Sequence, residues 1–320
     1  MKRFFFLSVL LWAFSATLFA QGIRYEGDIK MENPEQTISK EDEAQMKSMG
    51  MGPTDHCEFE AMAQGGKYRM TYTTDFMMFK KGTYMLGDAN TKVAYFVFPE
   101  RKAYWEFNID EMGQFARDMQ KMMKITYSNE SVTVSPLAPK VVNALPCAGK
   151  RIKIIYDTQS SFMGMKQKTH NEQQTDYYTT TAYDVLALFG DHNWHGQGLG
   201  IGDPVFDKQI EAKVGFLGFP VQVITENWTD GKYSGKTTMT TRNVQLTAIS
   251  PTNFVLPAGY TKESAGVFSM MKDAMKDQGG QQGKDEAAGQ EQQEEKQQEQ
   301  KDEKVDPKKL LKKGLKKLLK

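Results

Sequence analysis

The chain has 320 residues, a formal net charge of +1 and a mean hydropathy of −0.57. Such a balance excludes a strong global field steering the protein to nucleic acid or another polyanion. Residues 21–260 are long enough to bury a sizeable core, as one large β domain or two small ones, and the 20 Met, 19 Phe and 13 Tyr predict an adaptable one.

Residues 1–20 have the anatomy of a cleavable export signal. Lys2 and Arg3 precede the apolar run Phe4 to Phe14, and Ser15 to Ala20 is a small-residue exit with a cut expected after Ala20. The apolar run is shorter than the ~20 residues that span a bilayer. Leu18 departs from the small residue preferred three positions before the cut, and no cysteine follows it to carry a lipid anchor. The expectation is a periplasmic or secreted protein, out of reach of cytoplasmic nucleotides and nucleic acid. In an oxidising compartment Cys57 and Cys147 could pair, which the chain-entropy model values at ~4–5 kcal/mol. Sequence supplies no geometry, so paired and separate thiols both stand.

From Ile23 to Met31 apolar and charged residues alternate with a period of two, which predicts a half-buried strand. Asn33 to Thr54 breaks the pattern and reads as a mobile excursion. Strands are expected at 57–63 and 67–73 across the turn Gln64-Gly65-Gly66, with Tyr68, Met70 and Tyr72 on one face. Further strands at 76–79, 83–86, 93–99 and 102–107, separated by turn residues, predict an antiparallel meander. The period then changes: Ile109, Met112, Phe115, Ala116, Met119, Met122 and Met123 recur at three- and four-residue steps behind an N-cap at Asn108 or Asp110. This predicts an amphipathic helix with a Met-rich face.

The second half repeats the recipe, with strands at 125–134, 151–156, 166–170 and 177–183. A short helix follows from Asp203-Pro204 to Lys213. Strands at 214–219, 220–228 and 235–249 close the series, with Asp230-Gly231 as a hairpin turn. The expected fold is mainly β with a few helices: a curved antiparallel sheet or incomplete β-barrel wrapping over one or two helices. Residues 263–306 read as a Gln/Glu/Lys linker, with a short helix over 262–276; from Gln281 to Asp306 there is too little apolar surface to fold alone. In 307–320, Leu310, Leu311, Leu315, Leu318 and Leu319 share about half a helical wheel opposite lysines. This tail suits an anionic membrane surface; a solvated tail, or a helix folded on the acidic segment, is the plainer alternative.

The start Gly22 to Ile29, the strand Gly66-Lys67-Tyr68-Arg69-Met70 and the close Phe254 to Tyr260 resemble a domain-of-unknown-function family of exported bacterial proteins. That family is similar in outline to the lipoprotein-carrier (LolA/LolB-like) superfamily. The resemblance covers residues 21–262. It implies an incomplete β-barrel whose cavity holds an acyl chain, and it brings no catalytic residues.

The residues themselves offer little chemistry. No serine sits in a Gly-x-Ser-x-Gly elbow, and His56 and Cys57, adjacent on a strand, point to opposite faces. His192 and His195, between Asp191 and Asp203, have metal-ligand spacing but flank a glycine-rich loop, where histidines are more often merely solvated. That loop does not match Gly-x-Gly-x-x-Gly and reads better as a hinge or lid. Met46, Met49 and Met51, or the helical methionines, could present thioethers to Cu(I). The leading expectation is a non-enzymatic protein without a cofactor, binding a lipid, acyl chain or other hydrophobic ligand. Tyr68, Met70, Tyr72, Met112, Phe115, Met119 and Met122 are the candidate lining. A structural or interaction module of the envelope and a metal-handling protein are the alternatives.

Overall fold

Alternating apolar and polar residues need a sheet with one face buried, and the chain builds a single large one. The computed structural model describes residues 21–33, 52–162, 165–190 and 201–263, except for the side chains of Ile109, Met112, Phe115, Ala116, Met119, Met122, Phe162 and Met165. The first strands are β1 (Gln21–Glu32), β2 (His56–Gln64), β3 (Lys67–Tyr72), β4 (Tyr84–Asp88), β5 (Val93–Phe98) and β6 (Ala103–Asn108). Helix α1 (Ile109–Met122) follows, then β7 (Thr126–Val142), β8 (Leu145–Phe162) and β9 (Met165–Thr180). Helices α2 (Val185–Phe189) and α3 (Pro204–Val214) precede β10 (Phe219–Thr229), β11 (Lys232–Ala248) and β12 (Thr261–Lys262). All twelve strands join one open sheet in the order β12-β6-β5-β4-β3-β2-β1-β11-β10-β9-β8-β7. The pairings are antiparallel except β12 on β6.

The sheet is strongly curled. Ten strand spacings separate β6 from β7, ~48 Å in a flat sheet. Yet the 14-residue helix α1, ~21 Å long, connects them. At the other end of β7, the Asn143 side-chain amide donates to the carbonyl of Thr241 in β11 at 2.7 Å, although β9 and β10 lie between β8 and β11. The concave side is apolar. Register aligns Ile23, Ala63, Tyr68, Gly87, Ala94 and Phe107 across β1 to β6 on that face. The convex side carries ion pairs: Arg24–Glu60, Arg242–Glu26, Arg151–Asp176 and Lys153–Glu172.

Helices α2 and α3 lie on the concave side. In α3, Phe206, Ile210 and Val214 recur at helical spacing and bury against Val132, Ile152 and Ile154 of β7 and β8. Asp203 caps this helix by accepting from the amides of Val205 and Phe206, and Pro204 starts it. Val185, Leu188 and Phe189 of α2 pack against Ile23, Ala63 and Phe219. Asn108 caps α1, its side-chain oxygen accepting from the amides of Asp110 and Glu111. Two glycines are required by close approach: a Cβ at Gly27 would overlap the Phe59 ring, and one at Gly87 the Tyr68 ring.

Several expected elements shift. Residues 76–79 form a tight turn closed by Phe76 and Phe79 rather than a strand, and its rings stack on Tyr72. Of the strand expected at 214–219, Val214 ends a helix and 215–218 turn, with Gly215 and Gly218 at positive φ, and only Phe219 belongs to β10. The strands expected at 125–134 and 151–156 run on to Val142 and start at Leu145. The separate strands expected at 166–170 and 177–183 are one, β9. After β11 the chain crosses the convex side of β3 to β6, where Leu256 and Tyr260 cover Tyr84, Leu86 and Val97 before β12. No helix among the described residues is long and apolar enough to cross a membrane.

Candidate functional site

The concave face is not uniformly covered by what is described. Helix α3 rests on β7 to β9 and reaches Tyr177, α2 rests on Ile23 of β1, Ala63 of β2 and Phe219 of β10, and the 76–79 turn rests on β2 to β5. Between them runs a strip on β9, β10, β11 and β1. Cross-strand register brings Tyr177, Val223, Met239 and Ile29 into one row, and all four are half-buried. The row meets Cys57 of β2, which is buried. One level along the strands, Thr175, Thr225, Thr237 and Met31 make the next row, and Gln173 and Asn227 the one beyond. Thr175 is buried, its hydroxyl 3.2 Å from that of Thr225.

The apolar wall around this strip is dense. Tyr25 meets Phe219 edge-on with centroids 5.3 Å apart, and burial raises the pKa of its phenol. Burial likewise pushes Tyr177 up to about 12 and Tyr72 up to about 12. These phenols stay protonated at physiological pH, so the wall carries no charge from them. Lys150 lies on the concave face of β8, and its ammonium donates to the carbonyl of Val214 at the C-terminal end of α3. Its charge is thus placed where a helix end favours a cation.

Tyr68, Met70 and Tyr72 share the concave face. Tyr72 is buried, stacked between Phe76 and Phe79, while Tyr68 and Met70 are half-buried. Met112, Phe115, Met119 and Met122 fall on α1, and their side chains lie outside the description. His192 and His195, the export segment 1–20, the methionines 46, 49 and 51, and Leu310, Leu311, Leu315, Leu318 and Leu319 lie outside the described residues. The pairing that sequence left open is not made. Cys57 and Cys147 are both free and buried, in different apolar clusters. Burial, with Asp28 and Glu58 nearby, pushes the Cys57 thiol up to about 11, so it is a poor nucleophile. Sequence reading missed Ile29, Val223, Met239 and Tyr177 as neighbours. Their proximity comes from long-range register, which no local pattern encodes.

Two polar clusters lie elsewhere. On the convex side, Asp28, His56 and Glu58 bring ligand atoms within 4.8 Å of one another. His56 Nε2 is 2.6 Å from Asp28 Oδ2, but Arg242 already donates to Glu58 at 3.3 Å, so one of the three is engaged by a cation. At the N-terminal end of α3, the Asp207 carboxylate accepts from the amides of Ile201 and Gly202, and Tyr127 donates to the carbonyl of Ile201 at 2.8 Å. Burial raises the Asp207 pKa, and desolvation beside Asp203 and Asp207 raises that of Glu130. These bonds fix the exit of the glycine-rich loop to α3 and β7. No protein-family model matches the chain, and no curated protein matches it in sequence.

Proposed function

We propose that this protein binds a lipid, acyl chain or other hydrophobic ligand along the concave face, without a covalent step. The observation that carries the reading is the half-buried row Tyr177, Val223, Met239 and Ile29, in which Tyr177 packs against the α3 cluster at one end, Ile29 packs with the 76–79 turn at the other, and Val223 and Met239 lie between them. Removing such a strip from water is favourable in proportion to the apolar area buried, and thioether and aromatic side chains adapt to chains of varied shape. The same reading places the protein in the envelope or outside the cell, after removal of residues 1–20. It also assigns it to the exported lipoprotein-carrier-like proteins that its motifs resemble. Residues 307–320 add reversible contact with an anionic membrane.

The test is titration of the detergent-free protein with the fluorescent probe N-phenyl-1-naphthylamine, followed by displacement with hexadecanol. Wild type takes up the probe and releases it. Met239→Asp places a carboxylate on the strip and weakens uptake at least ~10-fold, since an unpaired charge in apolar surroundings is costly. Thr238→Asp, on the convex face of the same strand, binds as wild type. Absence of uptake by wild type, or equal uptake by both variants, rejects the reading.

A further inference from the structure

The strip is graded in polarity but carries no charge. On the concave side β1 presents Ile23, Tyr25, Gly27, Ile29 and Met31, and β11 presents Gly235, Thr237, Met239 and Thr241. β10 presents Val223, Thr225 and Asn227 there, and β9 presents Gln173, Thr175 and Tyr177. None of these is ionisable near neutral pH. The opposite face of the same four strands carries Arg24, Glu26, Asp28, Lys30, Glu172, Asp176, Glu226, Lys236 and Arg242. On these four strands charge is thus segregated to the convex side, while the concave side passes from apolar to hydroxyl to amide within three rows; the neighbouring concave-side cation, Lys150 of β8 beside Tyr177, is at the apolar row and already donates to the Val214 carbonyl.

Hydroxyls and amides partly exposed on an apolar face can each donate and accept. A ligand that fills only the apolar row leaves them to water. One that carries a polar end at that distance from its apolar end satisfies them. An ionised end would be desolvated there with no opposite charge among the described residues of the strip, which is costly.

We propose that the ligand is an amphiphile with an uncharged, hydroxyl-bearing headgroup, such as a glyceride. Its apolar chain lies along Tyr177, Val223, Met239 and Ile29, and its headgroup hydroxyls bond to Thr225, Thr237 and Asn227. The assignment rests on the hydrophobic-ligand reading above and specifies its polar end. Thr237 and Thr225 set headgroup selectivity, and the row before them sets affinity for the chain.

The experiment compares three probes of equal chain length by isothermal titration calorimetry on the full-length protein: 1-monopalmitoylglycerol, palmitate and 1-palmitoyl-lysophosphatidylglycerol. Wild type binds monopalmitoylglycerol at least ~10-fold more tightly than either anion, a gap of ~1.4 kcal/mol. In Thr237→Val, and in Thr225→Val with Thr237→Val, that ratio falls several-fold, whereas Thr240→Val on the convex face keeps it. The ratio is internal to each variant, so a general loss of stability does not imitate the effect. Equal binding of all three probes, preference for an anion, or an unchanged ratio in the double variant overturns the headgroup assignment while leaving the hydrophobic-ligand reading standing. Binding of none of the three overturns both.

Discussion

Replacing Phe206 by alanine tests whether α3 is held on the sheet by the packing described. Phe206 is 1% exposed, at the centre of a cluster with Val132, Ile152, Ile154, Ile210, Val214 and Leu217. Burying a large apolar side chain is worth ~1.5–3 kcal/mol in transfer alone. The cavity left by truncation adds ~24 cal/mol per Å³ that the surroundings fail to fill. Ile152 and Ile154 sit on β8, which is paired on both sides, and cannot collapse inward far, so most of that cavity persists. The expected loss is therefore ~3–5 kcal/mol. Val205, the preceding residue, is 69% exposed, and its change to alanine costs less than ~0.5 kcal/mol. Urea unfolding followed by tryptophan fluorescence and far-ultraviolet circular dichroism measures both. A Phe206→Ala loss below ~1 kcal/mol, or similar losses at 205 and 206, would refute this placement of α3.

Two further predictions concern charge and thiols. Asp157 is buried on the sheet and accepts from His170 at 2.6 Å, Asn129 at 2.7 Å and Lys168 at 3.4 Å, which hold its pKa at about 2. A carboxylate whose folded pKa is depressed stabilises above its ordinary value and loses that contribution as pH falls through about 2. Melting temperature recorded between pH 5 and about 2 should fall less steeply in Asp157→Asn than in wild type; an identical slope would remove Asp157 as a source of acid lability. Cys57 and Cys147 are 2% and 3% exposed and unpaired, so neither should react with Ellman's reagent at pH 8 in the folded protein. Both should react after unfolding without reductant, and fewer than two released equivalents would show a bridge that the structure does not contain.

The N-terminal meander was legible because each of its strands pairs an apolar face with a polar one. Ile23 to Met31 alternates over the whole strand, and Asn108 and Asp203 announce the two longer helices by capping them. Legibility failed where that contrast disappears. Residues 171–176 fall outside both expected strands because Asn171, Gln173 and Thr175, on the concave side, are as polar as Glu172, Gln174 and Asp176 opposite. These are residues of the graded strip, so the pattern was weakest at the candidate site itself. Helix α2 is too short for a periodic signal, and only the aspartate at 184, accepting from the amide of Ala187, marks its start. Residues 135–142 were obscured by Pro136 and Pro139, which argue against a central strand but fit an outermost one.

Those prolines bear on how the outermost strand of an open sheet is guarded. Among the described residues no strand pairs with the outer side of β7, which leaves a seventeen-residue border that a neighbouring chain could use as a template. The pairing of β7 with β8 is interrupted between Ser128 and Ser131 and again between Leu137 and Lys140. Pro136 and Pro139 contribute no amide hydrogen. An incoming strand therefore finds an unbroken ladder only from Ser131 to Ser135, and polymerisation through this border is discouraged by the strand's own irregularity. Replacing both prolines with threonine would restore the missing donors and turn a guarded border into an adhesive one.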